Sequence, residues 1–187
     1  MRSPYTKTSK TKMKTRIIAI LTGNGKGKTT SAVGTIIRAL GHGHRVLLLQ
    51  FMKETESGEI KFLKTLRNPN LKIIQSGRGF FKIKGDHSTE ETHKKYATLA
   101  IKLLQKELKS FSPTLTVLDE INTACSLGLT DAKQVVESIM KNPKTHFILT
   151  GRNAPKEFRT IANLITEMKE VKHPFNEGIH AQAGMEF

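Results

Sequence analysis

Cysteine is nearly missing from this sequence, and tryptophan is missing altogether: the 187 residues include one cysteine, Cys125, two tyrosines and no tryptophan. A single thiol excludes an intrachain disulfide framework and any zinc site built from several cysteines. The same count fits a reducing, cytoplasmic setting. Long apolar runs are absent as well. Nothing approaches the roughly 18–20 consecutive apolar residues of a membrane-spanning helix, so no membrane partner is expected. The longest apolar stretches, such as residues 45–51 with Val46, Leu47, Leu48 and Leu49, have the length of buried strands. Acidic residues are scarce, at 16 against 31 Lys plus Arg, which leaves a net charge of +15 with His neutral.

Six of the positive charges, Arg2, Lys7, Lys10, Lys12, Lys14 and Arg16, precede the first strand-like run, with no acidic residue among them. This opening is rich in Thr and Ser and lacks an apolar h-region, so it does not read as a secretory signal. We read residues 1–15 as a flexible basic arm and 16–187 as a single nucleotide-binding domain. The chain is long enough for one well-buried core and too short for two full-sized domains. Such an arm is either a solvated tail or a contact for nucleic-acid phosphates; the tail is the simpler reading, and a nucleic-acid partner is not expected.

From Ile17 onward the pattern alternates strand and helix. Strands are expected at 17–21, 45–51, 71–75, 115–118, 146–149 and within 163–168. A helix after the first strand carries Ala32, Val33, Ile36, Ile37 and Leu40 on one face and stops at Gly41. A short helix is expected around 57–67. Ser88 with Glu91 reads as a capping box for a long helix with Tyr96, Leu99, Ala100, Leu103, Leu104 and Leu108 on its face. Thr130 reads as the cap of a helix bearing Val135, Val136, Ile139 and Met140. This alternation predicts an α/β RecA-like P-loop fold, with a mostly parallel sheet of about six strands flanked by helices and ligands at the carboxyl ends of the strands.

The strongest chemical signal is Thr22-Gly23-Asn24-Gly25-Lys26-Gly27-Lys28-Thr29-Thr30. A strict Walker A motif begins with glycine where this chain has Thr22, but Gly27-Lys28-Thr29 stands in the required place. Glycines let backbone N–H groups wrap phosphate oxygens, and the following helix offers its positive end. Lys28 brings a mobile positive charge to a phosphate chain, and Thr29 brings a hydroxyl to Mg²⁺. Val117-Leu118-Asp119-Glu120 is an apolar strand delivering two carboxylates at its carboxyl end, where a P-loop protein holds its metal directly or through water. These features identify a nucleotide and a metal without fixing the reaction. A P-loop ATPase or kinase, or an ATP-driven nucleic-acid protein, has the same requirements.

Eight segments, in order and at matching spacing, resemble the P-loop ATP:corrinoid adenosyltransferase family. They are the loop just quoted, Arg38-Ala39-Leu40-Gly41-His42-Gly43, Gln50-Phe51-Met52-Lys53, Gly79-Phe80, Val117–Glu120, Leu149-Thr150-Gly151-Arg152, Val171-Lys172-His173-Pro174-Phe175, and Gly178–Phe187. The resemblance implies transfer of the 5′-deoxyadenosyl group of ATP to the Co(I) centre of cobalamin or a precursor corrinoid, with release of triphosphate. It implies that Gly25, Lys26, Gly27, Lys28, Thr29 and Thr30 hold the phosphates and that Asn24 lies near the nucleoside. Thr29 and Glu120 would address Mg²⁺, with Asp119 supporting the shell. Phe80 matches an aromatic residue thought to help displace the lower axial ligand of cobalt. In the segment Gly77-Arg78-Gly79-Phe80-Phe81-Lys82 the family's tryptophan falls here on Lys82, and Phe81 stands beside Phe80. The resemblance further implies a homodimer and a reduced flavoprotein as electron donor.

Arg152, after the fifth strand, and His173 are placed as contacts for ATP or corrinoid, although a salt bridge or a structural role would also account for them. His42 and His44 have no third ligand at metal-site spacing and read as surface histidines. Arg38 reads as a supporting residue. Cys125 has no His or carboxylate specified as a partner and reads as inert.

Overall fold

In a computed structural model, residues 16–53, 55–77 and 89–186 are described. Six strands alternate with six α-helices: β1 (Ile18–Thr22), α1 (Lys28–Gly41), β2 (Val46–Phe51), α2 (Gly58–Thr65), β3 (Leu71–Ser76), α3 (Glu90–Ser110), β4 (Leu115–Asp119), α4 (Ile121–Ser126), α5 (Ala132–Met140), β5 (His146–Thr150), α6 (Lys156–Ile161) and β6 (Leu164–Glu167). A short 3₁₀ helix, Pro174–Glu177, follows. All strand pairs are parallel, and the order across the sheet is β3-β2-β4-β5-β1-β6. This is the RecA-like P-loop arrangement that the alternation predicts. The strand feeding the glycine-rich loop and the strand ending in Asp119 are not neighbours; β5 lies between them and its end joins the two.

The central strands are apolar on both faces because helices cover both. Successive residues divide between two cores with the period of two that a pleated strand imposes. Ile18, Ile20, Leu47, Leu49, Leu118, Phe147 and Leu149 pack with α3, α4, α5 and α6. Ala19, Val46, Leu48, Val117 and Ile148 pack with Ala32, Val33 and Ile36 of α1 and with Ile60 and Leu63 of α2. The strand ends are thereby fixed from both sides, which holds the loops at their carboxyl edge in register.

Some local readings need correction. The cap of α3 is Thr89, whose hydroxyl accepts the N–H of Thr92 at 3.2 Å; Ser88 lies outside the described residues. The buried stripe of α3 runs through His93, Ala97, Ala100, Ile101, Leu104 and Leu108, while Leu99 is exposed. Small Ala97 and Ala100 let the helix lie close to the sheet, and the larger Leu99 points away. The cap of α5 is Asp131, whose carboxylate accepts the N–H of Lys133 at 2.9 Å, in place of Thr130. On the same ground of helix rotation, Ile37 in α1 and Met140 in α5 are each half exposed.

Among the described residues no helix is long and apolar enough to cross a membrane.

Candidate active site

The loop from β1 to α1 turns on two glycines with positive φ, Gly23 at 98° and Gly27 at 100°. At Gly23 a side chain would also overlap the carbonyl of Met168, and a Cβ on Gly25 would come within 2.8 Å of the Lys169 carbonyl. Met168, just past β6, donates its N–H to Thr22 O at 2.8 Å and accepts the N–H of Gly25 at 2.7 Å. The glycines thus serve the loop's shape and allow a close backbone brace from the strand beyond β1.

Lys28 opens α1 and folds back over the loop, its ammonium donating to the carbonyls of Gly23 at 2.8 Å and Gly25 at 2.6 Å. Burial pushes the Lys28 pKa below its ordinary value, and the positive charge of Arg152 adds to that; Glu120 and Asp119 oppose it. Arg152 therefore lies within electrostatic reach of the loop lysine, and its backbone N–H donates to Thr123 Oγ1 at 2.9 Å. Lys26 is exposed and pairs with Glu186 at 2.6 Å, which brings the carboxyl-terminal segment over the loop.

Asp119, the last residue of β4, is fully buried and accepts four hydrogen bonds. Its Oδ1 takes the hydroxyls of Thr29 at 2.9 Å and Thr150 at 2.6 Å. Its Oδ2 takes Gln50 Nε2 at 2.8 Å and Lys53 Nζ at 2.7 Å. Burial alone would raise its pKa, but the charge of Lys53 and the hydrogen bonds from Lys53, Thr150 and Gln50 outweigh it and hold the carboxyl below its ordinary value. Glu120 follows in the left-handed region at φ 62°, a conformation that costs a non-glycine residue roughly 1–3 kcal/mol. This turn separates the two carboxylates: Asp119 stays in the sheet and Glu120 reaches the cleft. Thr123 Oγ1 donates to Glu120 Oε2 at 2.7 Å, and the Glu120 N–H donates to Thr150 Oγ1 at 3.0 Å.

Lys28, Thr29, Lys53 and Glu120 line one cleft of about 540 Å³, together with Lys26, Gly27, Thr30 and the carboxyl-terminal Gly184–Glu186. Asn24 is exposed on the loop outside this lining. His173 caps the 3₁₀ helix, its Nδ1 accepting the N–H of Phe175 at 3.2 Å, and does not line this cleft. Phe80, Phe81 and Lys82 lie outside the described residues. His42 and His44 are exposed after α1, with ring centroids 6.2 Å apart, and no described group of three His, Cys, Asp or Glu side chains is placed to hold a metal.

Four contributors escaped the reading of individual residues: Lys53, Gln50, Thr150 and Thr123. Thr150 and Lys53 carried a usable signal, since each is a polar residue at or just beyond the carboxyl end of an apolar strand. Thr123 carried none, because its role depends on the left-handed turn at Glu120.

A parallel sheet of this order, with a glycine loop leading into α1 and a buried aspartate two strands away, defines a protein of the RecA-like P-loop class. Residues 14–187 match the model of a family described as ATP:corrinoid adenosyltransferase BtuR/CobO/CobP, and the chain belongs to that family. A corrinoid adenosyltransferase from Sinorhizobium sp is 35% identical over 174 residues, covering 91% of this chain and 80% of its own. One from Pseudomonas aeruginosa is 36% identical over 173 residues, covering 91% and 83%. The corrinoid adenosyltransferase CobA of Salmonella typhimurium is 31% identical over 178 residues, covering 91% and 85%.

Proposed function

We propose that this protein transfers the 5′-deoxyadenosyl group of ATP to the reduced cobalt of a corrinoid, cobalamin or a precursor, and releases triphosphate. The observation that carries the reading is the joint lining of one cleft by Lys28, Thr29 and Glu120 beneath a glycine loop, in a chain of the adenosyltransferase family. The C5′–O bond of ATP breaks as the Co(I) electron pair forms the Co–C5′ bond, and the leaving oxygen keeps the pair from the broken bond. No proton need move. What the protein must supply is alignment of the reacting atoms and charge stabilisation on the leaving triphosphate.

Lys28 and the N–H groups at the start of α1 are the groups suited to that charge. Lys28 needs only to exchange two neutral carbonyl partners for phosphate oxygens. Its partly buried ammonium acts there at a lower effective dielectric than in water.

A magnesium ion fits the residues present. Thr29 donates its proton to Asp119, which leaves its oxygen lone pairs for a cation, and Glu120 holds a carboxylate at the same cleft. Hydroxyl and carboxylate oxygens are the hard donors that Mg²⁺ takes, with phosphates completing its shell, so a cage of several carboxylates is not needed. Bound there, Mg²⁺ would supply countercharge to the triphosphate. Asp119, with four donors already around it, orients Thr29.

Phe80 is assigned as the apolar platform that disfavours a lower axial ligand, on the family resemblance alone. Removing an axial donor eases reduction of Co(II), so Phe80→Ala should impair turnover that begins from Co(II) and spare turnover with corrinoid reduced beforehand. Equal losses in both regimes would remove that role. A homodimer and a reduced flavoprotein donor belong to the same proposal.

The test is anaerobic incubation with chemically reduced corrinoid, ATP and Mg²⁺, followed by mass detection of adenosylated corrinoid. Folded Lys28→Ala should lose about 30- to 1000-fold in rate, the effect of removing ~2–4 kcal/mol of transition-state stabilisation. Wild-type turnover by that variant would end the proposed role of the loop.

A further inference from the structure

The side chain of Lys53 has no part in the reading above, yet it forms a wall of the same cleft. Its position is fixed from three directions. Met52 takes φ 57° immediately after β2, so the chain turns at the carboxyl edge of the sheet rather than running on past it. Gly77, at the end of β3, packs so closely that a Cβ there would lie 2.6 Å from the Lys53 nitrogen and 2.8 Å from Met52 Cα. The ammonium reaches Asp119 Oδ2 at 2.7 Å, with the lysine side chain 17% exposed and the aspartate side chain fully buried.

An internal ion pair of this kind seldom stabilises a fold more than apolar residues of the same volume, because both charges must be stripped of water. Asp119 does not depend on Lys53 alone for hydrogen bonds. Gln50 bonds the same oxygen, and Gln50 is itself held by Gln75 Nε2 at 3.0 Å. A lysine kept at the wall of the cleft that the loop lysine also lines therefore calls for a further explanation. Its ammonium carries three N–H donors, and Asp119 engages one, which leaves capacity for an anion in the cleft. With Asp119 neutralised locally, the carboxylate at the base of the site also repels an incoming polyphosphate less.

We propose that Lys53 is a second phosphate-binding cation, anchored by Asp119 at the wall of the cleft that Lys28 also lines. The proposal rests on the nucleotide reading of this cleft and extends it to a residue on a different strand.

The experiment is equilibrium binding of inorganic tripolyphosphate, ATP and adenosine to the full chain, without corrinoid, for wild type, Lys53→Met and Lys53→Arg. Thermal unfolding of each variant is measured alongside. Lys53→Met should weaken tripolyphosphate and ATP about 10- to 100-fold, as expected on losing a hydrogen bond to a charged group, and should leave adenosine within about twofold. Lys53→Arg, which keeps the charge and the partner, should recover most of the tripolyphosphate affinity. A merely structural lysine would weaken all three ligands alike, and that result would overturn the proposal. Unchanged tripolyphosphate binding in a folded Lys53→Met protein would overturn it as well. Failure of wild type to bind either tripolyphosphate or ATP would overturn the nucleotide reading itself, and this proposal with it.

Discussion

The hydroxyl of Thr29 donates to Asp119 Oδ1 at 2.9 Å, tying the first turn of α1 to the end of β4 across an intervening strand. Thr150, the last residue of that intervening strand, donates to the same oxygen and accepts the N–H of Glu120. The start of α1 and the ends of β4 and β5 are thus coupled through one buried carboxylate. The geometry of the cleft is a property of the sheet rather than of the glycine loop alone, and each link can be broken singly.

The link at Thr123 is the most selective. Its hydroxyl aims Glu120 at 2.7 Å and sits under Gly151, where a Cβ would approach it to 2.7 Å. Thr123→Val keeps the shape and deletes the hydroxyl, which is both the donor to Glu120 and the acceptor of the Arg152 N–H. We expect a loss of about 10- to 100-fold in kcat/KM, the range for a hydrogen bond to a charged group, together with a higher Mg²⁺ requirement. Thr123→Ser should restore most of both. Steady-state kinetics over a Mg²⁺ titration decide the matter, and an unchanged Mg²⁺ dependence in Thr123→Val would remove the positioning role.

Acid should loosen the fold through Asp119. Its folded-state pKa is lowered, so the stability it contributes is fully present above the unfolded value of roughly 4 and is lost as the pH falls through the lower folded value. Asp119→Asn leaves Lys53 without its buried partner and should cost about 3–5 kcal/mol at pH 7. The gap between wild type and variant should then narrow below about pH 4. Urea unfolding at a series of pH values measures it; a gap that stays constant into acid would contradict the linkage.

Much of this was legible in the sequence because the chemistry there is local. Strand runs such as Val46–Phe51 are apolar but for Gln50, and the Gly23–Thr29 loop is defined by its own spacing. The face of α3 was less legible: Leu99 and Ile101 both satisfy a helical period, and only packing against the sheet decides that Ile101 is buried and Leu99 exposed. Helix α4 was missed because six residues are too few for a periodic signal, and because it begins at a left-handed glutamate. Lys53 and Thr150 were not singled out as site residues, since their partner Asp119 is 66 and 31 residues away in sequence. Such pairings arise only once the strand order is known.

Cys125 should be chemically quiet. Burial pushes its thiol up to about 12, with the negative charges of Asp131 and Glu157 adding to the effect. Its thiolate fraction at pH 8 is consequently negligible. Iodoacetamide at pH 8 should label the native protein far more slowly than the urea-unfolded chain, and labelled or Cys125→Ser protein should keep its activity. Rapid native labelling with loss of activity would contradict the inert assignment.

The phosphorus products of a single anaerobic turnover bear most directly on the proposed reaction. Reduced corrinoid, ATP, Mg²⁺ and stoichiometric protein are mixed, quenched and read by ³¹P NMR beside quantification of the adenosylated corrinoid. Attack at C5′ predicts one intact triphosphate per adenosylated corrinoid, with neither ADP nor orthophosphate formed in proportion. Corrinoid-independent release of ADP and phosphate, without an adenosylated product, would contradict it and identify the cleft as that of an ATPase.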